Sequence, residues 1–131
     1  LQNDLKKDEG GNFQSSDYLY MNGSEIFNFT LEAVPPLIEE VLKNNQIDKN
    51  SIDLFVFHQA NKFMLNTIRK VCTIPKDKFY INLEHTGNTV SSTLPIALKD
   101  LIDTKMFKEK MNILIAGFGV GYSWGGTLLK L

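Results

Sequence analysis

From Gly23 onward the apolar positions Phe27, Leu31, Val34, Ile38, Val41 and Leu42 recur at three- and four-residue intervals, Leu42 directly following Val41. That spacing predicts an amphipathic helix with one stripe turned toward a core. Pro35 and Pro36 fall inside it. A proline removes a backbone donor and its ring meets the preceding turn, so the pattern predicts a kink or two abutting helices, the second starting at Pro35. The pattern then changes. "IDLFVF" (52–57) is a nearly continuous apolar run, as a strand covered on both faces would be. It leads into "QANKFMLNTIRKVC", where Phe63, Met64, Ile68 and Val71 return to helical spacing. "KFYINL" (78–83) predicts a second short strand, and Val90, Leu94, Ala97, Leu98, Leu101 and Ile102 a further helix with Pro95 in its first turns. Strands alternating with helices of this length predict crossover units and a parallel sheet with helices on its faces. "NILIAGF" (112–118) and "SWGGTLLKL" (123–131) lie too close together for a helical crossover, and are expected to pair antiparallel across "GVGY". The expected fold class is therefore α/β: a mixed sheet of parallel strands with a final antiparallel hairpin. Residues 1–17, polar and without period, read as a loop or a frayed, truncated edge.

Composition narrows the function classes. At 131 residues, 43% hydrophobic and 22% charged, the chain has the apolar content of one globular domain rather than of a disordered segment. Fourteen basic against fifteen acidic residues give a net charge of -1, without the basic excess expected of a nucleic-acid binder. One cysteine, Cys72, forms no internal disulfide, and with only His58 and His85 beside it at no ligand spacing no structural metal site is expected. No apolar stretch approaches the roughly 20 residues of a membrane span, and no charged-then-apolar leader opens the sequence; a cytoplasmic location is expected. The triplets at Asn22 and Asn28 match the glycosylation pattern but mean little outside a secreted chain.

Three places hold candidate chemistry. "FVFHQAN" (55–61) puts an imidazole, His58, where an oily strand ends, and in open α/β sheets ligands gather at the carboxyl ends of strands. From position alone, His58 serves equally well as a capping or core histidine with both ring nitrogens satisfied. One strand later "EHTGNTVSS" (84–92) brings Asn88 after Gly87, which is also an ordinary turn and helix cap. If the two strands are near neighbours, their tips lie one or two spacings of about 4.8 Å apart, and His58 and Asn88 could aim two N–H donors at one oxygen. The third place is "AGFGVGYSWGG" (116–126), five glycines in eleven residues, which signals positive φ, a close approach of backbone, or a tight hairpin and nothing more. Its spacing fails the dinucleotide-binding G-x-G-x-x-G pattern and no helix follows.

Taken in order, "MNGSEIFNFTL" (21–31), "HQAN" (58–61), "GNTVSSTLPIAL" (87–98) and "GFGVGYSWGG" (117–126) resemble the carboxyl-terminal half of β-ketoacyl-acyl carrier protein synthase III, a thiolase-fold condensing enzyme. The resemblance runs from about Tyr18 to the end, so that 18–131 would be a thiolase-like carboxyl-terminal domain. It implies that His58 and Asn88 donate hydrogen bonds to the enolate oxygen of a decarboxylating malonyl thioester, and that the Val120 N–H serves the acyl oxyanion. It further implies that Gly23, Phe27, Ala60 and Asn61 line the tunnel for the pantetheine of coenzyme A and carrier protein. These thioesters are substrates, and no cofactor is implied.

The activity implied is decarboxylative condensation of an acyl-coenzyme A primer with malonyl-acyl carrier protein in fatty-acid biosynthesis. The implied partners are acyl carrier protein, an amino-terminal lobe, and a second copy of the full-length chain. The nucleophilic cysteine belongs to that other lobe. Cys72, beside Val71 and Ile74 near a helix end, reads as a buried thiol, so the chain alone is expected to be inactive. Some members carry a carrier-docking arginine where this chain has Phe63, beside Lys62. Half of a secondary-metabolite acyltransferase or of a hydroxymethylglutaryl-type synthase, or a noncatalytic module of the same fold, are the alternatives.

Overall fold

The computed structural model describes residues 5–8, 10–15 and 21–130. Within the segment expected as loop, β1 (Lys6–Lys7) pairs antiparallel with β2 (Phe13–Gln14), closed by Asp8, whose carboxylate accepts from Asn12 N–H at 2.9 Å.

Helix α1 (Gly23–Asn45) starts where Asn22 Oδ1 accepts the Glu25 N–H, and ends at Gln46 in the left-handed conformation. It is one helix, not two. Pro35 and Pro36 cost two donors, yet Thr30, Ala33 and Val34 before them and Leu37, Ile38, Val41 and Leu42 after them are all buried on one stripe. Packing on both sides of the prolines offsets the lost backbone bonds, since each fully buried aliphatic side chain contributes about 1.5–3 kcal/mol.

Strand β3 (Leu54–Phe57) is followed by α2 (Lys62–Val71), β4 (Phe79–Tyr80), α3 (Thr93–Asp103), β5 (Asn112–Gly119) and β6 (Ser123–Lys130). The four-stranded sheet has the order β4-β3-β5-β6, with β3 parallel to both neighbours and β5 and β6 antiparallel, as the pattern predicted. All four residues of β3 are buried, because both sheet faces are covered. Phe55, Phe57, Leu114 and Ala116 join the core under α1 and α2; Leu54, Val56 and Ile113 join Ala97 and Leu101 of α3 on the other side.

Two expectations shift. The strand read as 78–83 keeps ladder pairing only at Phe79 and Tyr80, because beyond them the Asn82 N–H turns to a side chain, Gln59 Oε1, at 2.7 Å. The helix read as containing Val90 starts instead at Thr93; Val90 opens a short 3-10 turn with φ 56°, its side chain in solvent. Pro95 is the third residue of α3, where its missing N–H would have had no helical acceptor.

Candidate active site

The three polar residues at the tip of "FVFHQAN" take separate positions. Gln59 is 1% exposed and works as a clamp: its Nε2 donates to Phe57 O at 2.7 Å and its Oε1 accepts from Asn82, tying the carboxyl end of β3 to the chain leaving β4. Asn61 caps α2, its Oδ1 accepting the Met64 N–H at 2.8 Å. His58 is the remaining polar residue of the tip.

β3 and β4 are immediate neighbours, so the tips carrying His58 and the loop to Asn88 are one strand spacing apart, roughly 4.8 Å. The His58 backbone is fixed by its N–H to Ala116 O at 2.8 Å, and its ring meets Phe118 edge-on at 5.5 Å between centroids. Nδ1 lies 2.7 Å from Thr93 Oγ1 at the start of α3. Thr93 Oγ1 is also 3.0 Å from Val90 O, and the Val90 N–H donates to Asn88 Oδ1 at 2.9 Å. The Thr93 backbone N–H also donates to Val90 O, so a continuous run of bonded residues joins His58 to Asn88 through Thr93 and Val90 whichever way the hydroxyl hydrogen points. It occupies Nδ1 of the imidazole and Oδ1 of the carboxamide. Among the described residues nothing bonds to the other ends, His58 Nε2 and Asn88 Nδ2, so each residue keeps one nitrogen uncommitted. The Thr89 hydroxyl next to Asn88 is buried without a partner among the described residues. Val90 makes the arrangement with a β-branched residue in the left-handed region, a strain of about 1–3 kcal/mol of the kind that persists where surroundings enforce it. Desolvation lowers the pKa of His58 from its ordinary 6.5, so the ring is neutral at pH 7.

The glycine turn follows β5. Val120 lies two residues past Phe118, roughly 7 Å along the strand direction, with its side chain 68% exposed. Two glycines there have demonstrable causes. Gly121 has φ 139°, and a Cβ would stand 2.9 Å from Ser123 Oγ. At Gly126 a Cβ would come within 3.0 Å of Ile115 O and 3.3 Å of Val41 Cγ2, so glycine is what allows α1 to lie against β6. Phe29 of α1 stacks on Tyr122 at 4.4 Å and meets Trp124 edge-on, buttressing the turn.

Of the residues expected to line a tunnel, Phe27 of α1 stacks with Phe63 of α2 at 5.7 Å, which brings the first turns of the two helices, and the Asn61 cap, together. Ala60 packs at the edge of the same core, and Gly23 begins α1 with open space where a Cβ would be. Lys62 is engaged with Glu84 at 3.2 Å on the surface. Cys72 is 5% exposed and lines a hollow of about 240 Å³ with Pro35, Pro36 and Lys49. Burial pushes its thiol up to about 11, so it is held protonated at pH 7. No sequence pattern points to Thr93, Gln59 or Phe118 as site residues, and Val90 reads there only as part of a helical stripe. The row of hydroxyl residues in "GNTVSSTLP" was the one available signal.

This parallel sheet with its terminal hairpin, helices on both faces and polar groups at the strand tips is a thiolase-like half. The same arrangement recurs in a crystal structure of 3-oxoacyl-(acyl-carrier-protein) synthase III, at TM-score 0.93 and 43% identity over 97% of this chain and 38% of that one. It recurs in the synthase III of Thermus thermophilus, at TM-score 0.84 and 29% identity over 95% of this chain and 39% of that one. In sequence, the β-ketoacyl-(acyl-carrier-protein) synthase III of Clostridium perfringens is 39% identical over 117 residues, 89% of this chain and 36% of the relative. That of Pyropia yezoensis is 36% identical over 120 residues, 92% of this chain and again 36% of the relative. The chain therefore spans little more than a third of the length of these relatives. Residues 42–131 match the family model of the 3-oxoacyl-(acyl-carrier-protein) synthase III C terminal, and the chain belongs to that family.

Proposed function

We propose that this chain is the carboxyl-terminal half of a β-ketoacyl-acyl carrier protein synthase III of fatty-acid biosynthesis, an acyltransferase that condenses an acyl-coenzyme A primer with malonyl-acyl carrier protein. The observation that carries the assignment of roles is the chain from His58 through Thr93 and Val90 to Asn88, which leaves one nitrogen of each residue uncommitted at the tips of adjacent strands. Loss of carbon dioxide from a malonyl thioester turns its carbonyl oxygen into an enolate oxygen. Two N–H donors aimed at that atom stabilise the charge as it develops. In the proposed mechanism His58 Nε2 and Asn88 Nδ2 are those donors, and a neutral imidazole suits the task because it spares the site a buried cation. The Val120 N–H serves the tetrahedral oxyanion of acyl transfer. Gly23, Phe27, Ala60 and Asn61 flank the pantetheine arm, the aromatic pair Phe27 and Phe63 offering an apolar wall for it.

The acyl group itself would ride on a cysteine of the amino-terminal lobe, so the chain alone has no condensing activity, and the working enzyme is a full-length homodimer in the cytoplasm. It needs no cofactor, its coenzyme A and phosphopantetheine thioesters being substrates. In the complete enzyme His58→Ala should lower malonyl decarboxylation by about 100- to 1000-fold. Asn88→Asp should be damaging too, because it sets a negative charge beside the forming oxyanion. Rates within twofold of wild type would reject both roles. A polyketide-priming variant of the same chemistry is the second reading. It is favoured by the similarity to the priming β-ketosynthase of the R1128 polyketide pathway, at TM-score 0.80 and 28% identity over 86% of this chain. The primer accepted by the complete enzyme separates the two.

A further inference from the structure

A neutral imidazole has a single N–H, and which nitrogen carries it decides what His58 can offer. Thr93 Oγ1 likewise has one hydrogen, and it faces two acceptors, His58 Nδ1 at 2.7 Å and Val90 O at 3.0 Å. Two proton arrangements follow. If the hydroxyl donates to Val90 O, Nδ1 must donate to the hydroxyl, and Nε2 presents a lone pair. If the hydroxyl donates to Nδ1, Nε2 presents the N–H. The distances favour the second: 2.7 Å is typical of a hydroxyl donor and short for a ring N–H, whereas 3.0 Å is at the long end for a hydroxyl donor. Val90 O, moreover, already accepts the backbone N–H of Thr93 and does not depend on the hydroxyl. Thr93 is 3% exposed, so water does not compete for the position, and Phe118 against the imidazole limits its turning.

We propose that Thr93 is a positioning residue that donates its hydroxyl hydrogen to Nδ1 of His58, holding the neutral ring with its proton on Nε2, the nitrogen turned to the substrate oxygen. No bond is made or broken. The hydroxyl selects a tautomer, as the partner on one ring nitrogen fixes the state of the other. The role rests on the enolate-stabilising function proposed for His58, but the tautomer itself can be observed without substrate.

The test is nitrogen NMR of the complete polypeptide labelled with ring-¹⁵N histidine, the His58 signals assigned by their loss in His58→Gln. At neutral pH the wild type should show Nε2 protonated and Nδ1 as an unprotonated nitrogen that accepts a hydrogen bond. Thr93→Val, which keeps the shape and removes the hydroxyl, should move Nδ1 to the position of a nitrogen with no hydrogen bond, and Thr93→Ser should restore it. In decarboxylation, Thr93→Val should lower kcat about fivefold, the size of one net hydrogen bond, with KM within twofold and recovery in Thr93→Ser. A wild-type ring protonated on Nδ1, or an Nδ1 signal unmoved by Thr93→Val, overturns the proposal. If Thr93→Val does not fold, the wild-type spectrum still decides. The expected spectra together with undiminished decarboxylation by His58→Ala would instead refute the function proposed for His58 and leave the Thr93 assignment standing.

Discussion

Replacing Gln59 with leucine tests how the strand tips are held. The side chain is 1% exposed and donates to Phe57 O while accepting from Asn82 N, both at 2.7 Å, with a longer contact of 3.4 Å to Tyr80 O. Leucine fills nearly the same volume, so little of the effect comes from a cavity. It leaves the Asn82 N–H and the Phe57 carbonyl without their side-chain partner, each worth about 1–3 kcal/mol when stranded. The expected loss is about 2–6 kcal/mol, read as a lower urea midpoint of the complete protein at unchanged slope. Because the clamp also anchors the segment leading to Asn88, the decarboxylation proposed for the complete enzyme should fall as well. Gln59→Glu separates hydrogen bonding from packing. An ionised carboxylate still accepts from Asn82 but repels the Phe57 carbonyl, whereas the protonated acid can serve both. Burial raises that acid's pKa above its unfolded value near 4.3, so the variant should gain stability relative to wild type as pH falls through the raised value. A Gln59→Leu protein within 1 kcal/mol of wild type, or a Gln59→Glu protein indifferent to pH, would refute the clamp.

Two further outcomes follow from the geometry. His58 has its pKa lowered in the folded state by desolvation. The unfolded chain therefore binds the proton more readily. The stability associated with the neutral ring is complete above pH 6.5 and is lost as pH falls through the lower folded value, and His58→Gln should flatten that part of the profile of unfolding midpoint against pH. Gly126→Ala places a methyl 3.0 Å from Ile115 O and 3.3 Å from Val41 Cγ2, and should destabilise by about 1–3 kcal/mol, as overpacking does; a higher melting temperature would show that α1 yields without cost.

Local pattern carried some of these features and not others. The buried strand ending at His58, the closing hairpin and the layered α/β order could be read from the sequence, because apolar runs and short connections report directly on burial and pairing. The unbroken α1 could not, since Pro35 and Pro36 argue locally for a break and only the sheet beneath both halves outweighs them. Val90 fitted a helical stripe but sits ahead of the helix in the left-handed region, held by bonds from Asn88 and Thr93 that no periodicity encodes. His58 and Asn88 stood out as residue types at strand ends. Their connection did not, because Thr93 lies 35 residues from His58, and Gln59 finds Asn82 23 residues away. Chemistry at a strand tip shows in the sequence, whereas the contacts that orient it are made across the sheet.

In the proposed mechanism two nitrogens converge on one substrate oxygen. A crystal structure of the complete enzyme with a non-decarboxylating malonyl-thioester analogue decides whether they do. The thioester oxygen should lie about 2.7–3.1 Å from both His58 Nε2 and Asn88 Nδ2. An oxygen seated on only one of them, or bound elsewhere while the analogue occupies the site, would contradict the account.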